Sequence, residues 1–171
     1  QYNWIRIMNK KIKNILLKKN KSKIVSLTAY SKNIAKILDK YVDIVLVGDS
    51  MANVLYGHKN THKISLDSII QHTKSVKMGI KKSLLVVDMP KGSYNNIKSA
   101  EKNAKHIINI TKCEAIKIES NKKNYKIIKK LVKKNIPVMG HIGFTPQFQK
   151  KFKIQGQTKT QTNNLLKEAK L

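Results

Sequence analysis

The chain has 171 residues, 40% of them hydrophobic, which suffices for one core but not for two ordinary domains. Its 36 Lys and Arg residues against 9 Asp and Glu give a formal net charge of +27, and Cys113 is its single cysteine. The apolar runs are far shorter than the roughly 20 residues that span a bilayer, and no signal-peptide pattern is recognisable. Since one cysteine cannot form an internal disulfide, we expect a cytoplasmic domain, or part of one, with Cys113 a small buried thiol.

The positive charge raises the possibility of nucleic-acid binding, because clustered cations release counterions from phosphate backbones. Arg6 is the only arginine, however, and the guanidinium group is the one suited to specific phosphate and base contacts. The lysines are spread over every predicted helix, and aromatic residues make up only 6% of the chain. We therefore expect solvated lysine-rich faces and no specific nucleic acid partner.

The first predicted element is an amphipathic helix over Trp4–Leu17. Its apolar side comprises Ile5, Met8, Ile12, Ile15 and Leu16. Lysines line the other side, so the helix could lie on a membrane surface or cover one end of the domain. Because lysine is enriched everywhere, a basic face carries little information, and we favour the covering role.

Short apolar runs then alternate with longer amphipathic ones. The runs that predict buried strands are Ile24–Ala29, Asp43–Val47, Ser83–Val87, Glu114–Ile118 and Ile136–Met139. The predicted helices are Ser31–Lys40, Leu66–Ile80, Ile97–Thr111, Lys122–Lys134 and Gln161–Leu171. Repeated alternation of strand and helix favours a parallel sheet with helical crossovers, hence an α/β fold.

Three of the nine acidic residues follow successive predicted strands. Asp49 follows the second strand, Asp88 the third and Glu119 the fourth. In a parallel α/β barrel the carboxyl ends of the strands converge on the face where active sites lie. Singly, each acid could be a helix cap, but three together repel unless a cation neutralises them. Oxygen ligands without cysteine indicate a hard ion, Mg²⁺ before others.

Lys117 stands two residues before Glu119, so strand alternation directs both side chains to the same side. A lysine between Ile116 and Ile118 in a predicted strand differs from the many lysines on helix surfaces. In the mouth of a barrel it can bind a substrate carboxylate and offset the charge of an enolate.

Glycines and histidines mark the same predicted face. Six of the seven glycines lie at strand ends or in loops, where a positive φ or close approach is expected: Gly48, Gly57, Gly92, Gly140, Gly143 and Gly156. His141 follows the fifth strand and is either a polar surface residue or a group that contacts substrate or moves a proton. His58 and His62 have metal-ligand spacing, but their turn-like context favours loop histidines unconnected with a metal.

Five ordered motifs resemble the signatures of the ketopantoate hydroxymethyltransferase family. They are Leu27-Thr28-Ala29-Tyr30, Leu46-Val47-Gly48-Asp49-Ser50, Asp88-Met89-Pro90, Lys117-Ile118-Glu119 and the run from Met139 to Gln147, MGHIGFTPQ. The resemblance covers roughly residues 23–171, and the order and spacing of the motifs agree together. It implies an incomplete (β/α)8 TIM-type barrel of about five strands, preceded by a helix within residues 1–22.

The resemblance also implies site residues and a reaction. Asp49, Asp88 and Glu119 correspond to the magnesium site, and Asp49, Ser50, Asp88 and Lys117 to the substrate contacts. The implied reaction transfers a hydroxymethyl group from 5,10-methylenetetrahydrofolate to 3-methyl-2-oxobutanoate and gives 2-dehydropantoate, a step of pantothenate biosynthesis. Members of the family are homo-oligomers, and no membrane association is implied.

The chain departs from the family pattern in several places. Lys91 replaces an apolar residue, Ser120-Asn121 replaces a glycine pair, and glycines before the Lys153–Gly156 run are missing. The family's general base is a glutamate on a sixth strand, which we expect beyond Leu171, with His141 a possible helper. We therefore expect the chain alone to be inactive and not to form a stable closed monomer.

Three alternatives stay open at the level of sequence. The first is an inactive remnant of such an enzyme, which retains the metal ligands without the base. Another magnesium-dependent 2-oxo-acid barrel, of the phosphoenolpyruvate mutase or isocitrate lyase type, shares much of the same chemistry. A lysine-rich nucleic-acid-binding module would account for the charge but not for the motifs.

Overall fold

A computed structural model describes residues 9–121, 124–149 and 153–170, in which strands and helices alternate. The strands are β1 (Ser26–Thr28), β2 (Ile44–Val47), β3 (Leu84–Asp88), β4 (Ala115–Glu119) and β5 (Val138–His141). The helices are α1 (Lys10–Leu17), α2 (Lys32–Leu38), α3 (Met51–Val54), α4 (Leu66–Lys77), α5 (Ile97–Thr111), α6 (Tyr125–Lys133) and α7 (Lys159–Ala169), with a 3₁₀ turn at Thr61–Lys63.

The strands form one parallel sheet in the order β1-β2-β3-β4-β5. Each strand thus pairs with the next one along the chain through a helical crossover, which is the order of a (β/α) barrel. This confirms the predicted fold class, an α/β partial barrel.

The strand bounds differ from the predicted ones because the sheet continues into polar residues. Asp88 and Glu119 close β3 and β4, and β5 runs on to His141. Hydrophobicity marked only the apolar part of each strand, whereas the backbone ladder does not require apolar side chains. Gly140 accordingly lies within β5, without a positive φ or a close neighbour, contrary to the expectation of a special backbone there. Helix α3 and the 3₁₀ turn were not predicted, since both are shorter than a periodic pattern can reveal.

Alternate residues of each strand serve two separate apolar clusters. The outward-facing ones pack under the helices: Val45, Val47, Leu85, Val87, Ile116 and Ile118. Cys113 joins this larger core, where burial raises its pKa to about 11, so its thiol packs as an apolar group. The predicted apolar stripe of the fourth helix is buried in the same core, at Ile69, Ile70, Thr73, Val76 and Ile80.

The inward-facing cluster is closed from below by α1. Ile12 and Ile15 of α1 pack against buried Ile44, Leu84 and their neighbours inside the barrel. The Lys11 Nζ donates a hydrogen bond to the Ser83 carbonyl oxygen at 2.8 Å, next to the start of β3. The covering role predicted for the first helix is confirmed for Lys10–Leu17, whereas residues 4–8 of that prediction lie outside the described residues.

Acidic residues also tie the amino ends of the strands together. Asp43 accepts a hydrogen bond from the Val25 N–H at 2.9 Å. Glu114 accepts one from the Leu85 N–H at 2.9 Å and pairs with Lys77. Because they directly precede β2 and β4, these two acids lie at the end of the sheet opposite the carboxyl ends. No helix in the described part of the chain is long and apolar enough to cross a membrane.

Candidate active site

The three acids that follow the predicted strands are brought together at the carboxyl ends of β2, β3 and β4. Asp49 stands two residues after β2, while Asp88 and Glu119 are the last residues of β3 and β4. All three are buried, with exposed fractions of 5%, 4% and 3%. The Asp49 backbone N–H donates to Asp88 Oδ2 at 3.1 Å. We call these three residues the acidic cluster.

Gln147 connects the members of the acidic cluster. Its side-chain Nε2 donates to Asp49 Oδ2 at 2.9 Å, and its backbone N–H donates to Glu119 Oε2 at 2.9 Å. The same Nε2 donates to the Met89 carbonyl oxygen at 3.0 Å, and the Tyr94 hydroxyl donates to Gln147 Oε1. The sequence placed Gln147 at the end of a motif but gave no signal of this role, which depends on a loop folding back over the sheet.

Lys117 supplies the positive charge at this site. Its Nζ donates to Asp88 Oδ1 at 2.6 Å, and its side chain is only 16% exposed. The prediction that Lys117 and Glu119 share one side of β4 agrees with their contacts. Lys117 binds Asp88 of the acidic cluster, and Glu119 accepts from Gln147, which also binds Asp49. One lysine against three carboxylates leaves the site short of positive charge.

Burial and mutual repulsion make ionisation of the cluster costly. Burial is the main cause that raises the pKa of Asp49, and the charge of Asp88 adds to it. Burial likewise raises the pKa of Asp88, although Lys117 opposes the shift. Burial raises the pKa of Glu119 to about 7. Burial and repulsion therefore favour the protonated forms of these acids, whereas a bound cation would favour the ionised forms.

Ser50 and Gly48 fix the turn that carries Asp49. A Cβ atom at Gly48 would lie 2.8 Å from Ser50 Oγ and 3.5 Å from Asp88 Oδ2, so a larger residue would crowd the site. Ser50 Oγ is hydrogen-bonded to the Tyr30 hydroxyl at 2.8 Å. His72 Nδ1 is 2.7 Å from the Tyr30 carbonyl oxygen and so holds Tyr30 in place. The sequence assigned no role at the site to His72 or to Tyr30, the last residue of a motif, since their contact depends on how α4 packs against α2.

His141 lies on the edge of the acidic cluster. Its Nδ1 is 3.8 Å from Glu119 Oε1, is buried, and has no hydrogen-bond partner within the described residues. Burial lowers the pKa of His141, and the nearby charge of Lys117 lowers it further, which favours the neutral imidazole. Of the two interpretations of this histidine, the structure favours the one that places it at the site.

His58 and His62 face different partners. His58 is exposed, and its ring stacks near Tyr56. His62 Nε2 is 3.0 Å from the Pro146 carbonyl oxygen, and Lys91 Nζ is 3.2 Å from His62 Nδ1. Their four-residue spacing falls on a loop and a 3₁₀ turn, so it does not form one face of an α-helix.

The donor set of the acidic cluster fits a hard divalent cation. Across residues 9–121, 124–149 and 153–170, no group of three or more His, Cys, Asp and Glu side chains is gathered closely enough to bind a metal by itself. Mg²⁺ does not require such a group, because it commonly binds one or two carboxylates and completes its shell with water and substrate oxygens. Asp49 and Asp88 lie side by side, so their oxygens could serve as such ligands. That Asp49, Asp88 and Glu119 form a magnesium site stays a prediction.

Comparison with known proteins identifies the family. Residues 9–171 match the family model described as ketopantoate hydroxymethyltransferase. The chain belongs to this family. It is 56% identical over 164 residues to a 3-methyl-2-oxobutanoate hydroxymethyltransferase of Pelagibacter ubique, covering 96% of the chain and 64% of that relative. It is 43% identical over 167 residues to the Campylobacter curvus protein of the same name, covering 60% of that relative. The chain thus spans less than two thirds of the length of the curated relatives it matches.

Solved structures support the fold of this chain. Oxaloacetate acetylhydrolase superposes with a TM-score of 0.57 at 11% identity, covering 77% of this chain and 50% of that one. A 2,3-dimethylmalate lyase of the phosphoenolpyruvate mutase/isocitrate lyase superfamily gives 0.57 at 10% identity, covering 78% and 51%. At such identities the likeness concerns the fold alone, so membership of that superfamily is not favoured over the family shown by sequence.

Proposed function

We propose that this chain contributes the metal and 2-oxo-acid site of a 3-methyl-2-oxobutanoate hydroxymethyltransferase. The observation that carries the proposal is the acidic cluster, buried beside Lys117 at the carboxyl ends of three adjacent strands. The family membership and the curated relatives support the same reaction. In it a hydroxymethyl group passes from 5,10-methylenetetrahydrofolate to C3 of 3-methyl-2-oxobutanoate.

Asp49 and Asp88 are the proposed carboxylate ligands of Mg²⁺. Gln147 holds Glu119 next to them, because it donates hydrogen bonds to both Glu119 and Asp49. When bound there, the ion supplies Lewis-acid polarisation of the substrate's keto oxygen. Lys117 binds the substrate carboxylate and offsets the negative charge that develops on the substrate when the C3 proton leaves. Ser50, held by Tyr30, orients the substrate next to Asp49.

His141 is the proposed helper in proton transfer. A neutral imidazole at the edge of the cluster can take up or return a proton. Burial lowers its pKa and so favours the unprotonated ring, and its Nδ1 has no hydrogen-bond partner within the described residues.

The location, oligomeric state and bound molecules of the protein are inferred from its family. We place the protein in the cytoplasm as a homo-oligomer that binds a 2-oxo acid and a folate. The lone cysteine, which is buried, is compatible with a reducing compartment. A specific nucleic acid is not among the proposed partners, and DNA binding that disappears at moderate salt would agree with this.

An assay of hydroxymethyl transfer tests the proposal. The protein encoded by the complete reading frame that carries this sequence is incubated with both substrates and Mg²⁺, and 2-dehydropantoate is measured. We expect product formation that chelation abolishes and that Asp88→Asn lowers by at least about 100-fold, the scale for removing a preorganised charged group. Asp67→Asn, an exposed acid on α4, is the matched control and should leave the rate unchanged. Absence of product from the folded wild type would favour the inactive remnant.

A further inference from the structure

A buried threonine hydroxyl without a hydrogen bond lies beside the acidic cluster. Across residues 9–121, 124–149 and 153–170, two buried side-chain polar atoms make no hydrogen bond, Thr61 Oγ1 and His141 Nδ1. His141 borders Glu119, as described above. Thr61 is only 6% exposed, so bulk water does not satisfy its hydroxyl. Buried polar groups without partners are rare and often mark a place where a ligand or ion acts.

Two contacts hold the short turn that carries Thr61. The turn is the 3₁₀ segment Thr61–Lys63, and the Asn60 side chain caps it by accepting from the His62 N–H at 3.0 Å. The His62 Nε2 is 3.0 Å from the Pro146 carbonyl oxygen. Pro146 directly precedes Gln147, the residue that binds two members of the acidic cluster. The turn is therefore fastened to the loop that covers the cluster.

The Thr61 hydroxyl lies next to the Asp49 carboxylate. Burial and the charge of Asp88 raise the pKa of Asp49, whereas the side chains of Gln147 and Thr61 oppose this shift. Gln147 does so through a hydrogen bond of 2.9 Å to Asp49 Oδ2. The Thr61 hydroxyl makes no such bond. It is thus a donor close to Asp49 that the described structure does not use.

Other buried threonines have a structural reason for their hydroxyls. Thr73 and Thr111 donate to the carbonyl oxygens of Ile69 and Ile107, four residues earlier, at 2.6 and 2.7 Å. Within the described residues the Thr61 hydroxyl has no equivalent acceptor. Local structure therefore accounts for the first two threonines but not for Thr61.

We propose that Thr61 is a positioning residue of the acidic cluster, whose hydroxyl donates to the Asp49 carboxylate when that group is ionised against a bound cation. The inference rests on the proposed function, which assigns Asp49 to Mg²⁺. An ionised carboxylate only accepts hydrogen bonds, so ionisation gives the Thr61 hydroxyl the acceptor that it lacks. Carboxylates that bind metals are commonly oriented by such a hydrogen bond from a neighbouring group.

Titration with Mn²⁺ tests the assignment. Mn²⁺ prefers the same oxygen ligands as Mg²⁺, and electron paramagnetic resonance measures how much of it stays unbound. The protein from the complete reading frame is titrated without substrates. We expect Thr61→Val, which removes the hydroxyl and keeps the shape, to weaken Mn²⁺ binding about 10- to 100-fold, the scale for a hydrogen bond to a charged group. Thr61→Ser, which keeps the hydroxyl, and the control Thr73→Val should bind like the wild type.

Thermal unfolding without added cation separates this role from a structural one. Because an unpaired buried hydroxyl destabilises a fold, Thr61→Val should leave the thermal midpoint unchanged or raised. Thr73→Val loses an existing hydrogen bond and should lower the midpoint. A midpoint lowered by Thr61→Val would show that the hydroxyl is already bonded without a cation, which contradicts the proposal.

Three results of the titration would also overturn the assignment. They are equal Mn²⁺ affinity in Thr61→Val and wild type, an equal loss in Thr61→Ser, or an equal loss in Thr73→Val. Absence of Mn²⁺ binding by the wild type would overturn this inference together with the metal site. Absence of hydroxymethyl transfer, with Mn²⁺ affinities as expected, would overturn the proposed reaction alone and leave the role of Thr61 supported.

Discussion

At the scale of single residues, Gln147 holds the acidic cluster in position. Its amide serves Asp49, the Met89 carbonyl and the Tyr94 hydroxyl, all of them buried. Because buried polar groups without partners cost about 1–3 kcal/mol each, Gln147→Ala should lower the free energy of unfolding by at least about 1–3 kcal/mol. Urea unfolding measures the change, and Gln157→Ala, at an exposed position, is the control. A loss below about 0.5 kcal/mol would show that the cluster does not depend on this amide.

Lys117 is the residue whose replacement tests how the site binds its anionic substrate. In Lys117→Ala the ion pair with Asp88 is lost and the cluster becomes more negative, so a 2-oxo acid anion should bind more weakly. For the protein from the complete reading frame, we expect kcat/KM to fall by a factor equivalent to about 2–4 kcal/mol of transition-state stabilisation. Steady-state kinetics measure this change. Lys105→Ala removes an exposed, paired lysine and should leave kcat/KM unchanged. Unchanged kinetics in Lys117→Ala would remove this residue from the proposed site.

At the scale of elements, Asp39 joins the end of α2 to the residues that lead into β3. Burial alone would raise its pKa, but hydrogen bonds from the backbone N–H groups of Ser83, Lys81 and Lys82 outweigh burial and hold the pKa below its usual value. A lowered pKa in the folded state means that the ionised carboxylate stabilises the fold above about pH 4, and that this contribution is lost as the pH falls further.

Asp39→Asn should therefore cost stability in a pH-dependent way. We expect the variant to be less stable than wild type by about 1–2 kcal/mol at pH 6, the scale for hydrogen bonds to a charged group. The difference should shrink as the pH falls below about 4, because Asp39 of the unfolded wild-type chain then takes up a proton, and it should be lost once the pH passes the lowered pKa of the folded carboxylate. Urea unfolding at a series of pH values measures it, and a difference independent of pH would contradict the assignment.

Helix α1 contributes to the barrel through its apolar side. Ile15 packs against the inward-facing cluster, whereas Leu16 is 54% exposed. Ile15→Ala should lower the free energy of unfolding by about 1–2 kcal/mol, less than for a fully buried isoleucine, and Leu16→Ala by less than about 0.5 kcal/mol. Thermal or urea unfolding of the pair decides this. Equal effects would indicate that α1 does not close the barrel in solution.

At the scale of the whole molecule, β1 and β5 each pair with one neighbour among the described strands. Leu27 on β1 is 49% exposed, and an edge with apolar side chains and unpaired backbone groups favours association between chains. We expect this 171-residue chain to sediment faster than a monomer, in a concentration-dependent way. Leu27→Lys should reduce the association, while Asn33→Lys, which adds the same charge on exposed α2, should not. A compact monomer at all concentrations would contradict this expectation.

The sequence by itself determined the α/β class, the five strands and the family. Strands such as Leu84–Val87 are buried on both faces and read as continuous apolar runs, so periodicity and β-branched residues locate them. The position of Asp49, Asp88 and Glu119 after successive strands was enough to predict their meeting, because parallel strands end at one edge. The order of the motifs then added the resemblance, which the family model confirms.

The tertiary structure alone decided which polar groups touch the acidic cluster. Gln147 reaches Asp49 from 98 positions away along the chain, and His72 reaches Tyr30 from 42. Such contacts depend on where a loop lies over the sheet and how a helix packs on it, and neither leaves a periodic signal in the sequence. Local patterns specify elements because they reflect burial of neighbouring residues, whereas the chemistry of a site depends on distances between residues far apart in the chain.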